Sequence, residues 1–302
     1  MLGHPRGPRR TRLRIAALLL CASAPALGQT AGTLTVAEGR IELVRGTATY
    51  AAAQGVTLQN GDMLATEPKG QAQIEFDDGT ILNLSRGSRA FLLGPQSASA
   101  ETGVALNAGW VKFGRVKTAK AKPYRYLTPA ARVSSTGATG VLRMGEDSSE
   151  IFIESGVARF VEMSKGGVPG AGRDMKGSEF LVRRPGQALS VSPRPSADFI
   201  KSMPVYFRDD LPVFISRSKG RKTEPTREHE ATYSEVETWL KASTPIRRPL
   251  VARFQSRAKD SQFRSKLIEN LAQHPEWDPV LFPEKYEKKE EAEKAGKAEK
   301  AQ

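Results

Sequence analysis

Residues Gln71 to Leu84 read Gln-Ala-Gln-Ile-Glu-Phe-Asp-Asp-Gly-Thr-Ile-Leu-Asn-Leu, and this segment has the pattern of a β-hairpin. Polar and apolar residues alternate in its first half, which places the apolar side chains on one face of a strand. The Asp78-Gly79 pair then supplies the positive φ angles of a tight turn, and a second β-type run follows. The segment therefore predicts two antiparallel strands with one buried face.

Short β-type segments continue on both sides of this hairpin. Residues 60–62, Asn-Gly-Asp, form a turn of the same chemistry, and 150–154, 157–161 and 180–182 are further β-type runs. Strands this short, separated by glycine-bearing turns, are typical of an all-β domain. We therefore assign residues 29–197 to a β domain.

A glycine-centred pattern occurs three times in this β domain, around Gly39, Gly109 and Gly156. Each copy has an apolar residue, a two-residue gap, the glycine, and two apolar residues at alternate positions. The pattern predicts a bend in which glycine adopts a conformation closed to other residues, followed by a strand with one buried face. The intervals between the glycines are unequal, so a strict solenoid repeat is not predicted. Three ordinary glycine bends in a β protein explain the pattern equally well.

The N-terminal 28 residues have the organisation of a secretory signal peptide. Five arginines precede a short apolar run, and small residues stand at the −3 and −1 positions of a cleavage site between Gly28 and Gln29. The apolar run is shorter than the about 20 residues that a bilayer requires. Cys21 suggests a lipoprotein as an alternative, but Leu20 stands where a small residue is expected. We predict export to the periplasm and a soluble product with no transmembrane span.

Composition argues against several functional classes. Cys21 is the single cysteine, so the cleaved chain would have no disulfide framework, thiol catalysis or cysteine metal site. Cleavage of the signal peptide would remove five arginines and lower the net charge from +13 to +8. This moderate positive charge favours contact with anionic envelope surfaces over nucleic-acid binding. The glycine-rich segment 166–172 lacks the residues of a phosphate loop and is predicted to be a flexible hairpin loop, and no catalytic motif is present. We therefore expect a non-enzymatic protein without cofactor or metal.

One long segment of the β domain is purely basic. No acidic residue lies between Glu101 and Glu146, whereas eight basic residues do, with two tyrosines interleaved. Such a segment could bind an acidic protein or an anionic glycan, or it could be a solvated hairpin rim. The residues proposed to form this rim are Lys112, Arg115, Lys117, Lys120, Lys122, Tyr124 and Arg125.

The last third of the chain changes its hydrophobic period. Residues 198–232 are rich in proline and charge and are predicted to be an extended connector. Apolar residues at helical spacing predict a helical region at 233–286, with Asp260 as a helix cap. Trp239 and a second tryptophan could dock these helices onto the β domain. The Lys/Glu/Ala-rich tail, 287–302, is predicted to be disordered.

The ordered motifs of the β domain resemble those of the FecR domain. Gly61-Asp62-Met-Leu-Ala-Thr, Asp78-Gly79-Thr-Ile-Leu and the later Leu-Thr-Pro and Gly-Gln segments come in the order typical of that family, over about residues 31–192. Each motif is weak alone, and only the ordered set is specific. The turn and motif positions are Gly39, Gly61, Asp62, Asp78, Gly79, Gly109, Gly140, Gly156 and Gly186.

The resemblance implies a mainly β fold, either a β-roll or solenoid-like structure or a twisted β-sandwich. This chain departs from the family pattern at 135–141, where the local turn could differ. FecR proteins proper also carry an anti-sigma region and a membrane span before this domain, and a signal peptide stands there in this chain. The resemblance therefore implies an envelope interaction domain without the anti-sigma role.

Together these observations predict a periplasmic, non-catalytic binding module with a possible sensing role. An exposed edge strand could pair with a strand of an unidentified envelope protein. The alternative is a module that binds cell wall or another anionic glycan through the basic segment. Nucleic acid is not expected as a partner.

Overall fold

The computed structural model describes residues 29–94, 102–115, 122–145, 148–164, 166–184, 186–215 and 223–287. The predicted signal peptide with Gly28, the rim residues Lys117 and Lys120, and all but the first residue of the predicted tail lie outside these ranges. No helix within the described ranges combines the length and the apolar character needed to cross a bilayer.

The fold is mainly β, as the sequence predicted. The described strands are β1 (Thr30–Glu38), β2 (Ile41–Arg45), β3 (Ala48–Ala52), β4 (Thr57–Gln59), β5 (Met63–Thr66), β6 (Gln71–Phe76), β7 (Thr80–Leu84), β8 (Arg89–Leu93), β9 (Gly103–Arg115), β10 (Tyr124–Leu127), β11 (Ala131–Ser135), β12 (Thr139–Met144), β13 (Ser149–Ser155), β14 (Val157–Met163), β15 (Pro169–Lys176), β16 (Phe180–Arg183), β17 (Ser190–Ser192) and β18 (Thr226–Glu230).

These strands form two layers that share one long strand. Layer A has the order β4-β1-β6-β7-β9-β12-β13-β16-β17, and layer B has the order β18-β3-β2-β5-β8-β9-β10-β11-β14-β15. The first half of β9 pairs in layer B and its second half in layer A, so the two layers are one continuous curled sheet. Among the described strand pairs only β9–β10 is parallel. The result is closer to a twisted sandwich than to a solenoid.

The three pattern glycines lie where the chain crosses between the layers. Gly39 separates β1 from β2, Gly156 separates β13 from β14, and Gly109 lies within β9 where its partners change from β8 to β12. All three have positive φ angles, of 68°, 79° and 85° respectively. Only glycine adopts this conformation at low cost. The predicted glycine bends are therefore confirmed, and each one redirects the chain into the other layer.

The main core lies between the two layers. The apolar face of the 71–76 strand, Ala72, Ile74 and Phe76, faces inward as predicted and belongs to this core. Phe76 packs on Tyr124, whose ring centroid is 5.2 Å away, within an aromatic group at the centre of the core. Burial of these side chains is the dominant favourable contribution to folding.

Five α-helices are described in the C-terminal third, joined in part by short 3₁₀ turns. They are α1 (Ala197–Ser202), α2 (Tyr233–Leu240), α3 (Thr244–Phe254), α4 (Ser261–Glu269) and α5 (Asp278–Leu281). The carboxylate of Asp260 accepts a hydrogen bond from the backbone N–H of Phe263 at 2.8 Å, which confirms the predicted cap of α4. α2 begins with a capping box formed by Thr232 and Glu235.

The predicted extended connector, 198–232, is ordered over most of its length, and this prediction was wrong for its described part. It contains most of α1, a 3₁₀ turn at Val205–Phe207, and β18, which pairs with β3 at the edge of layer B. Phe199 and Phe207 are fully buried against the outer face of layer A. The many prolines and charges suggested a linker, but a few aromatic anchors are enough to fix the segment on the sheet.

The helices α2 to α5 pack on the outer face of layer B. Their apolar residues share one cluster with Val44, Met63, Phe91 and Ala105 of the sheet. The ring of Trp239 lies 5.6 Å from that of Phe91, so this tryptophan docks the helices as predicted. The helical region and the β domain therefore share a hydrophobic core.

Candidate protein-interaction surface

The predicted basic rim is not an exposed surface. Lys112 is only 1% exposed because it lies on the covered outer face of layer A, and Tyr124 is buried between the layers. Arg115 is paired with Asp78 at 2.9 Å, and its guanidinium also contacts the carbonyl of Lys122. These positions contradict the prediction for Lys112, Arg115 and Tyr124. Strand alternation and long-range packing bury residues that follow one another in a basic run.

The other rim residues do not restore a continuous surface. Lys122 is exposed, and Arg125 is partly buried on β10. Lys117 and Lys120 lie outside the described residues. The structure thus brings no cluster of these side chains together on an open face within the described part of the chain.

The motif residues with acidic side chains build turns. Asp62 is buried and accepts two hydrogen bonds from the guanidinium of Arg45, at 2.9 and 2.7 Å, and one from the backbone N–H of Gln59 at 2.8 Å. Asp78 accepts from the backbone N–H of Thr80 at 2.9 Å within the predicted hairpin turn. These carboxylates are occupied by structural partners.

The motif glycines fall into two groups. Gly61, Gly79 and Gly186 have positive φ angles, of 92°, 82° and 68°, in turns. Gly140 instead lies inside β12, where a Cβ would approach the carbonyl oxygen of Phe152 to 2.5 Å. The first group needs glycine for its backbone conformation and Gly140 needs it for space.

Four strands end the two layers, and β15 offers the longest free edge. β4 and β17 end layer A with three residues each, and β18 ends layer B with five exposed residues of largely charged character. β15 ends layer B on the other side with eight residues, of which only Met175 is buried. Its outer edge has no strand partner among the described residues. Unpaired edges of this kind are templates for pairing with another chain.

The phase of the β14–β15 ladder shows which backbone groups face this free edge. Gly177 donates to the carbonyl of Gly156 at 3.0 Å, so hydrogen-bonded and non-hydrogen-bonded pairs alternate from that point. Gly172 and Asp174 fall in non-hydrogen-bonded pairs, which point their N–H and C=O groups outward. Lys176 has the same phase, and its outward N–H donates to the side chain of Glu179 at 2.9 Å. That contact supports the assignment.

The surroundings of this edge allow close approach. The segment before Arg173 is Pro-Gly-Ala-Gly, which has no bulky or charged side chain. Val168 directly precedes β15 and is 65% exposed, and Val157, 55% exposed, lies opposite Lys176 on the neighbouring strand β14. We call β15 together with these two valines the β15 edge surface. Sequence reasoning missed it, because a glycine-rich stretch predicted a loop.

No metal site was found among the described residues, where no group of three or more His, Cys, Asp or Glu side chains is arranged to hold an ion. The described carboxylates at the motif positions are instead engaged in turns and ion pairs. With the basic rim and a metal site set aside for the described residues, the candidate interaction site is the β15 edge surface.

Comparison with known families gives a match within the β domain. Residues 62–159 match the model of the family described as FecR protein. The chain therefore contains a FecR domain, and the resemblance drawn from its motifs is confirmed over these residues. The matched segment runs from the buried Asp62 turn to the strand that precedes the β15 edge surface.

Similarity to solved structures is partial. Two crystal structures of a candidate anti-sigma factor from Parabacteroides distasonis ATCC 8503 align with TM-scores of 0.38 and 0.37 and identities of 14% and 13%. Each alignment covers 46% of this chain and 62% of the other, so the chain spans less than two thirds of the length of these structures. No curated protein matches this chain.

Proposed function

We propose that this chain is an exported, non-catalytic binding module of bacterial envelope signalling that engages a protein partner through the β15 edge surface. The observation that carries the proposal is the eight-residue free edge of β15, with the outward backbone groups of Gly172 and Asp174. The FecR domain supports a role in signalling or sensing, and the signal-like N-terminus supports a periplasmic location.

Strand addition explains how such an edge would bind. A partner strand laid along β15 satisfies the outward N–H and C=O groups of Gly172 and Asp174, and each such hydrogen bond contributes on the order of 1 kcal/mol. A side chain of the partner would then lie next to Val168, which is 65% exposed just before β15 and whose burial adds apolar contact. Glycines on β15 keep the approach open. The binding energy comes mainly from backbone pairing, and Val168 contributes to specificity.

The experiment removes one outward N–H without removing the fold. Proline lacks the N–H group and is tolerated on edge strands where that group faces outward. Asp174→Pro should therefore abolish the recovery of partners in envelope crosslinking followed by mass spectrometry. Asp174→Ala is the matched control, because it also loses the ion pair with Arg159 but keeps the N–H.

Two outcomes decide the matter. If Asp174→Ala captures partners and Asp174→Pro does not, while both unfold at the same denaturant concentration, pairing at this edge is supported. If the proline variant recovers the same partners as the parent, the β15 edge surface is not the binding site.

A further inference from the structure

Arg159 and Asp174 form an ion pair beside the free edge of β15. Phe160 and Met175, their neighbours along the chain, point into the core. Strand alternation therefore places Arg159 and Asp174 on the outer face of layer B, where they lie opposite each other in the β14–β15 ladder. The distance between Nη1 of Arg159 and Oδ1 of Asp174 is 3.1 Å, and the two side chains are 52% and 60% exposed. The helices pack on the part of layer B formed by β2, β5, β8 and β9, so they leave this pair open to a partner.

The guanidinium of Arg159 also reaches over Gly172. A Cβ on Gly172 would lie 3.1 Å from Nη2 of Arg159, so the missing side chain leaves room for the guanidinium. Nη1 donates to Asp174, whereas Nη2 forms no hydrogen bond with a residue that the structure describes. Because a guanidinium has five N–H donors, Arg159 can bind a second acceptor at the edge without giving up Asp174.

Gly172 presents its backbone N–H and C=O groups to the same edge. A strand paired to β15 would place one residue directly opposite Gly172, with the two Cα atoms about 5.5 Å apart. Paired residues of neighbouring strands point their side chains to the same face, and Gly172 has none. The partner's side chain would therefore extend over Gly172 and meet the guanidinium of Arg159.

The groups around Gly172 determine which partner side chain fits there. Ladder registers place Gly172, Val161 and Arg132 in one row across β15, β14 and β11. Arg159 lies in the adjacent row of the same face. A carboxylate over Gly172 is attracted by both arginines, whereas a basic side chain is repelled by both. At the neighbouring position, opposite Asp174, a partner carboxylate would instead face a like charge.

Glu179 restricts the partner to the first part of β15. Its carboxylate accepts a hydrogen bond from the outward N–H of Lys176 at 2.9 Å and pairs with Arg173 at 3.1 Å. The outward N–H groups that stay open along 172–176 are therefore those of Gly172 and Asp174. A partner strand thus meets two neighbouring positions with opposite charge preferences.

We propose that the partner of the β15 edge surface is a protein strand with an acidic residue opposite Gly172, and that Arg159 selects this residue. This selection rests on the proposed function, because it requires a strand paired to β15. The partner's carboxylate accepts from Nη2 of Arg159, while Asp174 retains Nη1. Backbone pairing supplies most of the affinity, whereas Arg159 and Asp174 determine which strand binds and in which register.

The test uses the full chain and two fluorescent peptides, Ser-Thr-Val-Thr-Glu-Thr-Val-Thr-Ser and the same sequence with Gln in place of Glu, in anisotropy titrations. At low salt the Glu peptide should bind the parent chain about fivefold more tightly than the Gln peptide, as expected for an exposed ion pair, and added salt should reduce the difference. Arg159→Gln should remove this preference. Asp174→Asn is the matched control, because it breaks the same ion pair but keeps Arg159, and it should preserve or increase the preference.

Asp174→Pro separates this selection from edge pairing itself. It removes the outward N–H and should abolish binding of both peptides. Equal affinities of the two peptides for the parent chain, together with loss of both in Asp174→Pro, would overturn the selection by Arg159 and leave the proposed function intact. A Glu preference that persists in Arg159→Gln would also overturn it. Binding that survives Asp174→Pro, or no binding of either peptide, would count against both the edge and the selection.

Discussion

Arg253 fixes the helical region to the β domain, and its removal should destabilise the whole protein. The guanidinium, on α3, donates to the carbonyl oxygens of Gly46 and Gly61 at 2.6 Å each and of Val44 at 3.1 Å. One side chain thus holds three backbone groups of layer B. Burial lowers the pKa of Arg253 to about 10, so the charge is held in a poorly solvated position.

The size of the effect follows from these contacts. A hydrogen bond with a charged partner contributes about 1.5–3 kcal/mol. The three hydrogen bonds together outweigh the free-energy cost of burying the guanidinium. The lowered pKa of Arg253 reflects part of that cost. Two of the carbonyls lie in turns, where water can replace the arginine. We therefore expect Arg253→Met to lower the free energy of unfolding by about 2–4 kcal/mol, and Arg253→Lys to lower it by less, since an ammonium reaches fewer of the three carbonyls.

Urea denaturation followed by tryptophan fluorescence measures this effect. Arg248→Met is the matched control, because Arg248 is exposed on the same helix, and its free energy of unfolding should stay within about 0.5 kcal/mol of the parent value. A similar small change for Arg253→Met would refute the argument. A separate early transition of the helices would refute the conclusion that they share one core with the sheet.

Two further predictions concern pH and backbone geometry. His274 is buried, its Nε2 lies 3.0 Å from the Tyr233 hydroxyl, and burial, with Lys241 and Arg247 nearby, lowers its pKa. As the pH decreases, the unfolded chain therefore takes up a proton at His274 before the folded chain does. The stability that is present above about pH 6.5 should thus fall as the pH decreases toward the folded-state pKa, by at most about 1.4 kcal/mol per pH unit. His274→Gln should flatten this dependence in urea titrations at pH 7.5 and 5.5, and an unchanged slope would assign the loss to other groups. Gly109→Ala should cost clearly more stability than Gly87→Ala: both glycines have positive φ, but a Cβ on Gly109 would meet Ser88 Oγ at 2.4 Å, whereas Gly87 has nothing within 4 Å. Equal melting temperatures for the two variants would contradict the close-approach argument.

The sequence predicted those features that depend on neighbours along the chain. The Asp78-Gly79 turn, the glycine bends and the Asp260 cap are local, because their geometry is set by a few adjacent residues. The family resemblance extended this to the order of the motifs along the chain. The β class and the C-terminal helices followed from hydrophobic period together with glycine-bearing turns and a helix cap.

Features that depend on distant segments could not be predicted. In the 71–76 strand the sequence correctly placed Ile74 inward, and it equally implied that Glu75 faces water. Residues 205–215, some 140 residues later, cover that face and make Glu75 a buried acceptor for two backbone amides. Lys112 was misassigned to an exposed rim for the same reason. A period of two in a strand defines two faces but does not state what covers each.

The C-terminal third determines which parts of the β domain remain available to a partner. Phe199 and Phe207 cover the outer face of layer A, and α2 to α5 cover the outer face of layer B. Backbone hydrogen-bonding groups lie in the plane of a sheet, so those of the described sheet are open mainly at its end strands. β18 presents a charged edge, which resists pairing, whereas β15 begins with Pro-Gly-Ala-Gly and follows the exposed Val168. Since the C-terminal third also covers both outer faces, a partner of the described β domain is left mainly with the β15 edge surface.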